Sequence, residues 1–299
     1  MAFAELSEEL QPAIMTRPYG SQDDGLWRRV RRNRRILIGF LCSAPIVLLA
    51  FIGPMLAPFS PTEFIGPPFS RQLPGTLFGT DDLGRDLLSR FLSGGRDLVF
   101  LSFVGTVVGV LPGAVIGVVA AYLGGWPDEF ISRAADVALA FPPIILALLF
   151  VSLLGPNPWL LVVVVALGHV PRSLRVLRGA AMGIVERDFI QYSVALGSRS
   201  YDIVIREILP NVVGPLMVEL GLRFTFSVGL IASLSFLGVG TQPPTPDWGM
   251  MINENRVGMS VQPWGVILPI VALALLVVGC NLLTDGFARV IGIIKSKEV

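Results

Sequence analysis

The sequence has few of the residues from which catalytic and metal sites are usually built. Histidine occurs once, cysteine occurs twice, and the only lysines are Lys295 and Lys297. Neither lysine follows a glycine, so the chain cannot contain a phosphate-binding loop of the form G-x-x-x-x-G-K-[ST]. No metal-ligand spacing and no HExxH or GxSxG motif occurs. We therefore expect no catalytic residue, no metal site and no cofactor bound by this chain.

Charged residues are also scarce. They make up 15% of the 299 residues, whereas 53% are hydrophobic and the mean hydropathy is +0.70. A soluble domain carries roughly a quarter charged residues, so this composition is typical of a membrane protein. The net charge of +1 excludes a strongly basic nucleic-acid-binding protein.

Six apolar segments are candidates for membrane-spanning helices. The fourth is the weakest candidate, because its apolar run stops at Pro171 and is followed by Arg172 and Arg175. Without it the number of spans falls to five. The sequence thus predicts an all-α, polytopic membrane protein with six transmembrane helices. The segments are residues 36–55, 98–123, 137–154, 159–177, 212–239 and 264–283.

The basic residues predict the orientation. With six spans, seventeen arginines and lysines fall on the side of the two termini and five on the opposite side. Basic residues concentrate in cytoplasmic loops, so both termini and residues 172–211 are expected in the cytoplasm. The predicted organisation is a cytoplasmic basic tail (1–34), a first span with an extracytoplasmic loop (35–97), a five-span core with a cytoplasmic loop at about 178–211 (98–292), and a C-terminal tail (293–299).

Small residues recur every four positions in two of the spans. Such stripes let helix backbones approach closely in lipid, and we interpret them mainly as packing surfaces within the chain rather than between subunits. The stripes are Gly105, Gly109, Gly113 and Gly117 in the second span, and Gly221, Thr225, Gly229 and Ser233 in the fifth.

Three ionisable residues fall at span positions. Glu219 and Arg223 are one helical turn apart, where they can form an ion pair, and they are either pathway residues or a structural pair. His169 lies near the predicted end of the fourth span. A lone histidine there is more often an interfacial hydrogen-bonding residue than a ligand or proton relay.

A charged segment, FIQYSVALGSRSYDIVIREILPN at 189–211, separates the fourth and fifth spans. At ~100° per residue, its second half forms an amphipathic helix with Asp202, Arg206 and Glu207 on the polar side. Ile203 is the one apolar residue on that side. The opposite, apolar arc consists of Tyr201, Val204, Ile205, Ile208 and Leu209.

The segment should contain two short helices. We expect Gly197 to separate them, Ser200 to cap the second helix and Pro210 to end it. Two helices meeting at a glycine form a surface that could dock a partner protein, or they could lie on the membrane.

The same segment resembles the "EAA" loop of ABC-importer permeases, in which a short helix and a glycine are followed, about ten residues later, by Ile-Leu-Pro-Asn. In that family the loop supplies a coupling helix that sits in a groove of the ATPase subunit. Gln191, Tyr192 and Ser193 stand where the family has Glu-Ala-Ala. The resemblance implies an ATPase-docking role for Gly197, Tyr201, Val204, Ile205, Arg206, Ile208, Leu209 and Pro210.

Four further segments resemble the dipeptide, oligopeptide and nickel branch of this family, and most closely its "C"-type dipeptide permeases. The first of them also predicts a helix capped by Thr80, with Asp81 and Asp82 in its first turn. Ile231 occupies a fifth-span position that is often acidic in this branch. The segments are FGTDDLGRDLLSRFLSGGR (78–96), AAYLGGWPDEFISRAADVALAFPP (120–143), LSFLGVGTQPPTPDWGMM (234–251) and NLLTDGFARVI (281–291).

The resemblance implies a type I ABC-importer permease fold and one half of a pathway for di- or oligopeptides in the bacterial cytoplasmic membrane. The expected partners are a homologous permease, two ATPase subunits that hold ATP and magnesium, an extracytoplasmic solute-binding protein and the lipid bilayer, with no nucleic acid. One alternative is a secondary transporter or channel subunit in which Glu219, Arg223 or His169 carries ion coupling. Others are a non-peptide cargo, such as a nickel chelate or another small solute, and a scaffold without cargo flux. Dependence on a separate ATPase distinguishes an importer from a secondary transporter.

Overall fold

The computed structural model describes residues 33–71 and 73–295, which are predominantly helical and contain no β-strand. Most of the basic tail predicted at 1–34, and part of the tail predicted at 293–299, lie outside these residues. A π-helix (Ile203–Ile208) joins the two short α-helices Ser200–Asp202 and Leu209–Asn211, and a 3₁₀-helix (Arg256–Gly258) follows the α-helix Trp248–Asn255. The α-helices are α1 (Arg34–Leu56), α2 (Leu87–Ser93), α3 (Arg96–Leu123), α4 (Gly125–Leu139), α5 (Pro143–Leu154), α6 (Pro158–Val185), α7 (Asp188–Ala195), α8 (Ser200–Asp202), α9 (Leu209–Asn211), α10 (Val213–Phe236), α11 (Trp248–Asn255) and α12 (Trp264–Lys295).

Local sequence sets where several of these helices begin. The side chain of Asn33 accepts the N–H of Arg35 at the start of α1. Asn157 caps α6 in the same way, and Pro158 follows it at the first helical position, where a proline costs no hydrogen bond.

The described residues contain five helices that are long and apolar enough to cross a membrane, and α4 with α5 form a sixth candidate, bent by 73°. The polytopic, all-α class is therefore confirmed. The break lies in the third predicted span rather than in the fourth. The fourth span is one continuous helix, α6, which runs through Pro171 and carries Arg175 and Arg178 to ion pairs with Asp136 and Asp128 of α4.

Successive spans run in opposite directions, so the bundle has two ends. Loop 57–86, α2 and α11 lie at one end, which we call the α11 end. Helices α7, α8 and α9 lie at the other, which we call the α7 end. Within the bundle, α3 packs most extensively on α6, and α1 packs on α12.

The glycine stripe of α3 packs directly against α6, which confirms its interpretation as a packing surface within the chain. A Cβ atom added at Gly109 would lie 2.9 Å from the Cα of Ala166, and one at Gly113 would lie 2.5 Å from the carbonyl oxygen of Val170. No side chain fits at these distances. The two helix backbones are therefore in contact over about three turns.

The stripe of α10 behaves differently in its two halves. Gly221 packs within the chain, against Thr284 of α12. Beside Gly229, in contrast, no described atom lies within 4 Å of an added Cβ, and Ser233 is exposed. The interpretation as intrachain packing is therefore wrong for the half of the stripe nearer α11.

The segment 78–96 does not begin a helix at Thr80. The first turn of α2 begins at Leu87, and its cap is Asp86, whose carboxylate accepts the N–H of Ser89 at 2.8 Å. The Thr80 hydroxyl lies in the preceding loop, where it donates to the carbonyl of Pro67 at 2.6 Å. The prediction failed because two capping residues occur in this segment, and the carboxylates near Thr80 have other partners.

Those partners form a buried ion-pair network. Asp81 pairs with Arg85 at 2.7 Å and with Arg90 at 3.3 Å, and Glu254 of α11 pairs with Arg90 at 2.7 Å. Asp82 also pairs with Arg85, at 3.1 Å. Breaking a buried pair leaves an uncompensated charge, which costs several kcal/mol, roughly 3–5. The network therefore ties loop 57–86 and α2 to α11.

Asp247 caps α11 from a fully buried position. One carboxylate oxygen accepts the N–H groups of Gly249 and Met250, at 2.9 and 3.2 Å. The other oxygen has no hydrogen-bond partner among the described residues. Burial raises the pKa of Asp247 to about 6, although the two N–H groups oppose the shift. At neutral pH the fold thus holds a buried carboxylate beneath the first turn of α11.

We expect Gly113→Ala to destabilise the protein by about 1–3 kcal/mol, because the added methyl group would push α3 away from α6. The measurement is the thermal midpoint of the purified protein in detergent. Gly183→Ala is the matched control on α6, since nothing lies within 4 Å of its added Cβ and alanine is the better helix former. A Gly113→Ala midpoint equal to that of the wild type would contradict the close contact.

We expect the effect of Asp247→Asn on stability to depend on pH. Asparagine keeps the capping oxygen and removes the charge. The folded pKa of Asp247 (about 6) lies above its ordinary value of 3.8, so its contribution to stability is fully present below pH 3.8 and is lost as the pH rises through 6. Relative to the wild type, Asp247→Asn should therefore be more stable at pH 7.5 than at pH 4.5, by on the order of 2 kcal/mol. Thermal midpoints at both pH values test this, with the exposed Glu63→Gln as control; a difference that does not vary with pH would refute it.

Candidate functional site

The segment 189–211 forms two short helices at the α7 end of the bundle, as predicted. Gly197 separates them with a φ of +75°, in the left-handed region that favours glycine. No atom of the described residues lies within 4 Å of a Cβ added there, so the glycine is required by its backbone conformation and not by a close neighbour. Ser200 is the first helical residue rather than the cap, and Pro210 does not end the helical path, which continues to a break at Val212.

The second helix winds differently from the predicted α-helix. The N–H of Leu209 donates to the carbonyl of Val204, five residues earlier, as in a π-helix. Residues five apart therefore share a face, and Ile203 and Ile208 are both fully buried. The predicted position of Ile203 on the polar side is wrong for this reason.

The buried side of this helix packs on the hydrophobic core that α3 and α6 form. Ile203, Val204 and Ile208 lie in one apolar cluster with Val118 and other residues of α3 and with Leu177 and other residues of α6. The helix is also joined to α7, because the hydroxyl of Ser193 donates to Glu207 at 2.9 Å. Its position is thus set by the α3–α6 pair.

The opposite side leaves a second apolar surface uncovered. Tyr201 is 73% exposed and Leu196, before the glycine turn, is 85% exposed. Arg206 is exposed as well, and in the part of the chain that the structure describes its ion-pair partner is Asp202, at 3.4 Å. We call this surface the docking face; its apolar members are Tyr192, Leu196, Tyr201 and Ile205.

The structure therefore divides the predicted docking residues into two groups. Tyr201, Ile205 and Arg206 are on the docking face, whereas Val204 and Ile208 are inside the chain. Leu209 is half-buried and Pro210 is exposed.

A buried ion pair lies within the bundle. Arg223 of α10 donates to Glu219 at 2.6 Å, and Ser173 of α6 donates to the same carboxylate oxygen at 2.9 Å. Glu219 is 2% exposed. Arg223 lies ten residues after Val213, about 15 Å along α10, so the pair belongs to the span itself and not to its first turn.

His169 is also inside the bundle rather than at its surface. Its Nε2 lies 2.7 Å from the hydroxyl of Ser227, which is 2.8 Å from that of Thr106. These contacts connect α6, α10 and α3. The interfacial role expected for His169 is therefore wrong: its hydrogen bonds hold three helices together.

Sequence reasoning missed the hydroxyl partners of these ionisable residues. A signal was present in the spacing, since His169 and Ser173 are four residues apart, and Glu219, Arg223 and Ser227 follow the same interval. At that spacing, side chains share a helix face. Two polar stripes on neighbouring spans indicate that the spans face each other.

Comparison with known proteins identifies the family to which this sequence is similar. Residues 113–292 match the family model described as "Binding-protein-dependent transport system inner membrane component", and residues 24–74 match the "N-terminal TM domain of oligopeptide transport permease C". The first match extends from α3 into α12, and so it contains both the docking face and the buried pair.

Curated relatives are similar over most of their length. The dipeptide transport system permease protein DppC of Alkalihalophilus pseudofirmus is 33% identical over 262 residues, which cover 87% of this chain and 86% of the relative. The protein of the same name from Haemophilus influenzae is 34% identical, with coverages of 87% and 90%. The glutathione transport system permease protein GsiD of Pectobacterium atrosepticum is 35% identical, with coverages of 87% and 87%. The chain therefore belongs to the family of binding-protein-dependent transport system inner membrane components and has the type I ABC-importer permease fold.

Proposed function

We propose that this chain is the permease subunit of an ATP-driven importer of di- or oligopeptides and forms one half of the transport pathway with a homologous permease. The observation that carries the proposal is the similarity over 87% of the chain to permeases named for dipeptide transport. The N-terminal match to an oligopeptide permease domain supports the same cargo class. Relatives named for glutathione transport support a peptide cargo in general and make glutathione the first further cargo to test.

ATP hydrolysis is assigned to partner subunits in this proposal. The chain has no glycine–lysine pair from which a phosphate-binding loop could be built. Two ATPase subunits would hold ATP and magnesium, and an extracytoplasmic solute-binding protein would deliver the cargo. The permease contributes no bond chemistry: it exposes the pathway to one side of the inner membrane and then to the other.

The docking face supports the assignment of its partner. It is apolar and exposed, and the opposite side of its helix packs on the α3–α6 core, which suits an interface that transmits force. Interface energy concentrates in a few aromatic and apolar anchors, and Tyr201 and Tyr192 are the exposed aromatic residues of this face. The proposed ATPase groove would receive them, with Arg206 at its rim.

Uptake by the reconstituted importer tests the proposed function. The permease pair, the ATPases and the binding protein are placed in proteoliposomes, and uptake of a labelled dipeptide is measured with ATP, without ATP, and with a proton or sodium gradient alone. We expect uptake with ATP only. Uptake driven by the gradient without the ATPases would instead establish a secondary transporter.

We expect Tyr201→Ala to weaken ATPase binding by about 1–3 kcal/mol, which is roughly 5- to 150-fold in affinity, and to leave the thermal midpoint of the chain unchanged. Tyr201 touches little of its own chain, so its truncation removes only the anchor. Ile208→Ala should do the opposite and lower the midpoint, because it opens a cavity in the core at a cost of about 2–5 kcal/mol. Co-purification of the ATPase, thermal midpoints and peptide uptake are the measurements.

Arg206→Ala is the matched rim control, with a smaller and salt-sensitive effect on ATPase affinity. If Tyr201→Ala assembles and transports like the wild type, the docking assignment fails, and the segment is better described as a membrane-surface helix.

We expect reporter fusions at the N-terminal tail, near Gln242 and at the C-terminal tail to report inside, outside and inside the cytoplasm. The physical reason is the excess of basic residues on the side of the two termini. Alkaline phosphatase and fluorescent-protein fusions at each site give complementary signals. A C-terminal tail that reports outside would mean that the bent α4–α5 pair does not cross the membrane.

A further inference from the structure

Arg172 on α6 differs from the other buried arginines. In the part of the chain that the structure describes, every other partly or fully buried arginine forms an ion pair with a carboxylate: these are Arg85, Arg90, Arg178 and Arg223. Arg172 is half-buried and has no such partner in the same part of the chain. An uncompensated cation in a membrane span is costly and is by default a functional residue.

The guanidinium group of Arg172 lies beside the middle of α10, inside the bundle. It stacks over the ring of Phe226 at 5.6 Å, and its Nη1 donates to the carbonyl of Gly168, one turn back along α6, at 2.5 Å. Phe226 is thirteen residues after Val213 and ten before Phe236, or about 20 and 15 Å from the ends of α10. The side chain thus points to the middle of the bundle and away from the α7 end of α6.

The remaining guanidinium N–H groups are free to bind an anion. Within the described residues, Arg172 has the Gly168 carbonyl as its only hydrogen-bond acceptor. Arg223 lies on α10 three residues, about one helical turn, before Phe226, the residue on which Arg172 stacks. Because Glu219 neutralises only one of these two cations, the site keeps a net positive charge. Phe226 holds the planar guanidinium group of Arg172 in place by cation–π stacking.

The break between α4 and α5 supplies independent support. Pro143, the first residue of α5, lies beside Gly168: a Cβ added at Gly168 would be 3.7 Å from both the Pro143 Cβ and the Arg172 Nη1. Phe141 and Pro142, within the break, are exposed on this chain. Non-helical backbone at membrane depth is tolerated where it lines a polar cavity or is covered by protein. A bent span and an unpaired cation therefore meet at one point.

We propose that Arg172, held by Phe226 and reinforced by Arg223, binds a carboxylate of the cargo as it crosses the middle of the membrane. The proposal rests on the proposed peptide import and deepens it. A guanidinium group matches a carboxylate with two parallel hydrogen bonds, and a peptide carries a terminal carboxylate at neutral pH. The cation would compensate the charge that is hardest to move through a low-dielectric region.

The test compares one tripeptide with a free C-terminal carboxylate and the same tripeptide as its C-terminal amide. Uptake of both is measured in the complete reconstituted importer with wild-type chain and with Arg172→Gln. Selection by the binding protein cancels when the acid-to-amide ratio is compared between variants. We expect Arg172→Gln to lower uptake of the acid about tenfold or more and that of the amide less than about twofold, because only the acid can form charge-assisted hydrogen bonds with the guanidinium group.

A direct binding measurement makes the result independent of delivery. Both tripeptides, fluorescently labelled at the N-terminus, are titrated onto the detergent-solubilised permease–ATPase complex without the binding protein. The wild type should prefer the acid, Arg172→Gln should lose that preference, and Arg172→Lys should restore part of it. Arg175→Gln, which removes an exposed arginine from the same helix, is the matched control and should keep the wild-type ratio.

Each possible result either supports the carboxylate site or contradicts it. An acid-to-amide ratio unchanged by Arg172→Gln in both uptake and binding overturns the carboxylate site, and so does an equal loss of both peptides. If Arg172→Gln does not assemble, Phe226→Leu keeps the charge and removes the stack, and an unchanged ratio in that variant counts against the site. If the wild-type importer transports neither peptide, the proposed function fails and the inference fails with it. If it transports both and only the ratio is unaffected, the inference alone fails.

Discussion

Gly105, Gly109, Gly113 and Gly117 allow the backbone of α3 to lie directly on that of α6. This contact fixes the surroundings of the docking face and of the buried polar residues on α6 and α10. An added Cβ at Gly109 would be 2.7 Å from the Cβ of His169, and one at Gly113 would be 3.1 Å from that of Ser173. The glycines thus make room for these two polar side chains, which reach the carboxylate and hydroxyl groups of α10. In lipid there is no hydrophobic force to bring helices together, so close packing and buried hydrogen bonds must hold them. Farther along, the same helix pair forms the apolar bed for Ile203 and Ile208.

How far the sequence predicted this structure depended on whether a feature was local. Length and hydropathy predicted the spans, and the interval of four residues predicted the α3 stripe, because each depends only on helix geometry. The glycine turn at Gly197 was also predictable, since few other residues adopt a positive φ. In contrast, the sequence predicted Thr80 as the cap of α2, whereas the cap is Asp86. The difference arises because Asp81 bonds to Arg85, and Arg85 also pairs with Glu254, a residue that is distant in sequence.

The segment 189–211 shows more clearly that non-local packing is hard to predict from sequence. A wheel of ~100° per residue gave the right amphipathic character but placed Ile203 on the polar side, because one π-helical stretch changes the interval from four residues to five. Side-chain composition does not reveal that change, since the π-helix is stabilised by packing Ile203 and Ile208 on α3 and α6. The pairing of Glu219 with Arg223 was predictable from their spacing. The stacking of Arg172 on Phe226 was not, because it depends on the register between α6 and α10.

The docking face and the site around Arg172 and Arg223 are connected through α10. Val212, where the helical path breaks, and Leu216 belong to the same apolar cluster as Ile208, so the first turns of α10 pack against the helix that carries the docking face. Glu219 lies two turns after Val212, and Arg223 lies three turns after it. Ser173 of α6 donates to Glu219, and the helix of the docking face packs on α6 as well, so α6 and α10 are tied to each other and to that helix. On the proposed function, a displacement of the docking face by the ATPases would therefore move Arg172 and Arg223 together. Coulomb energy varies steeply with distance at low dielectric, so a fixed separation of the two cations preserves the positive field that holds a cargo carboxylate while access to the site changes.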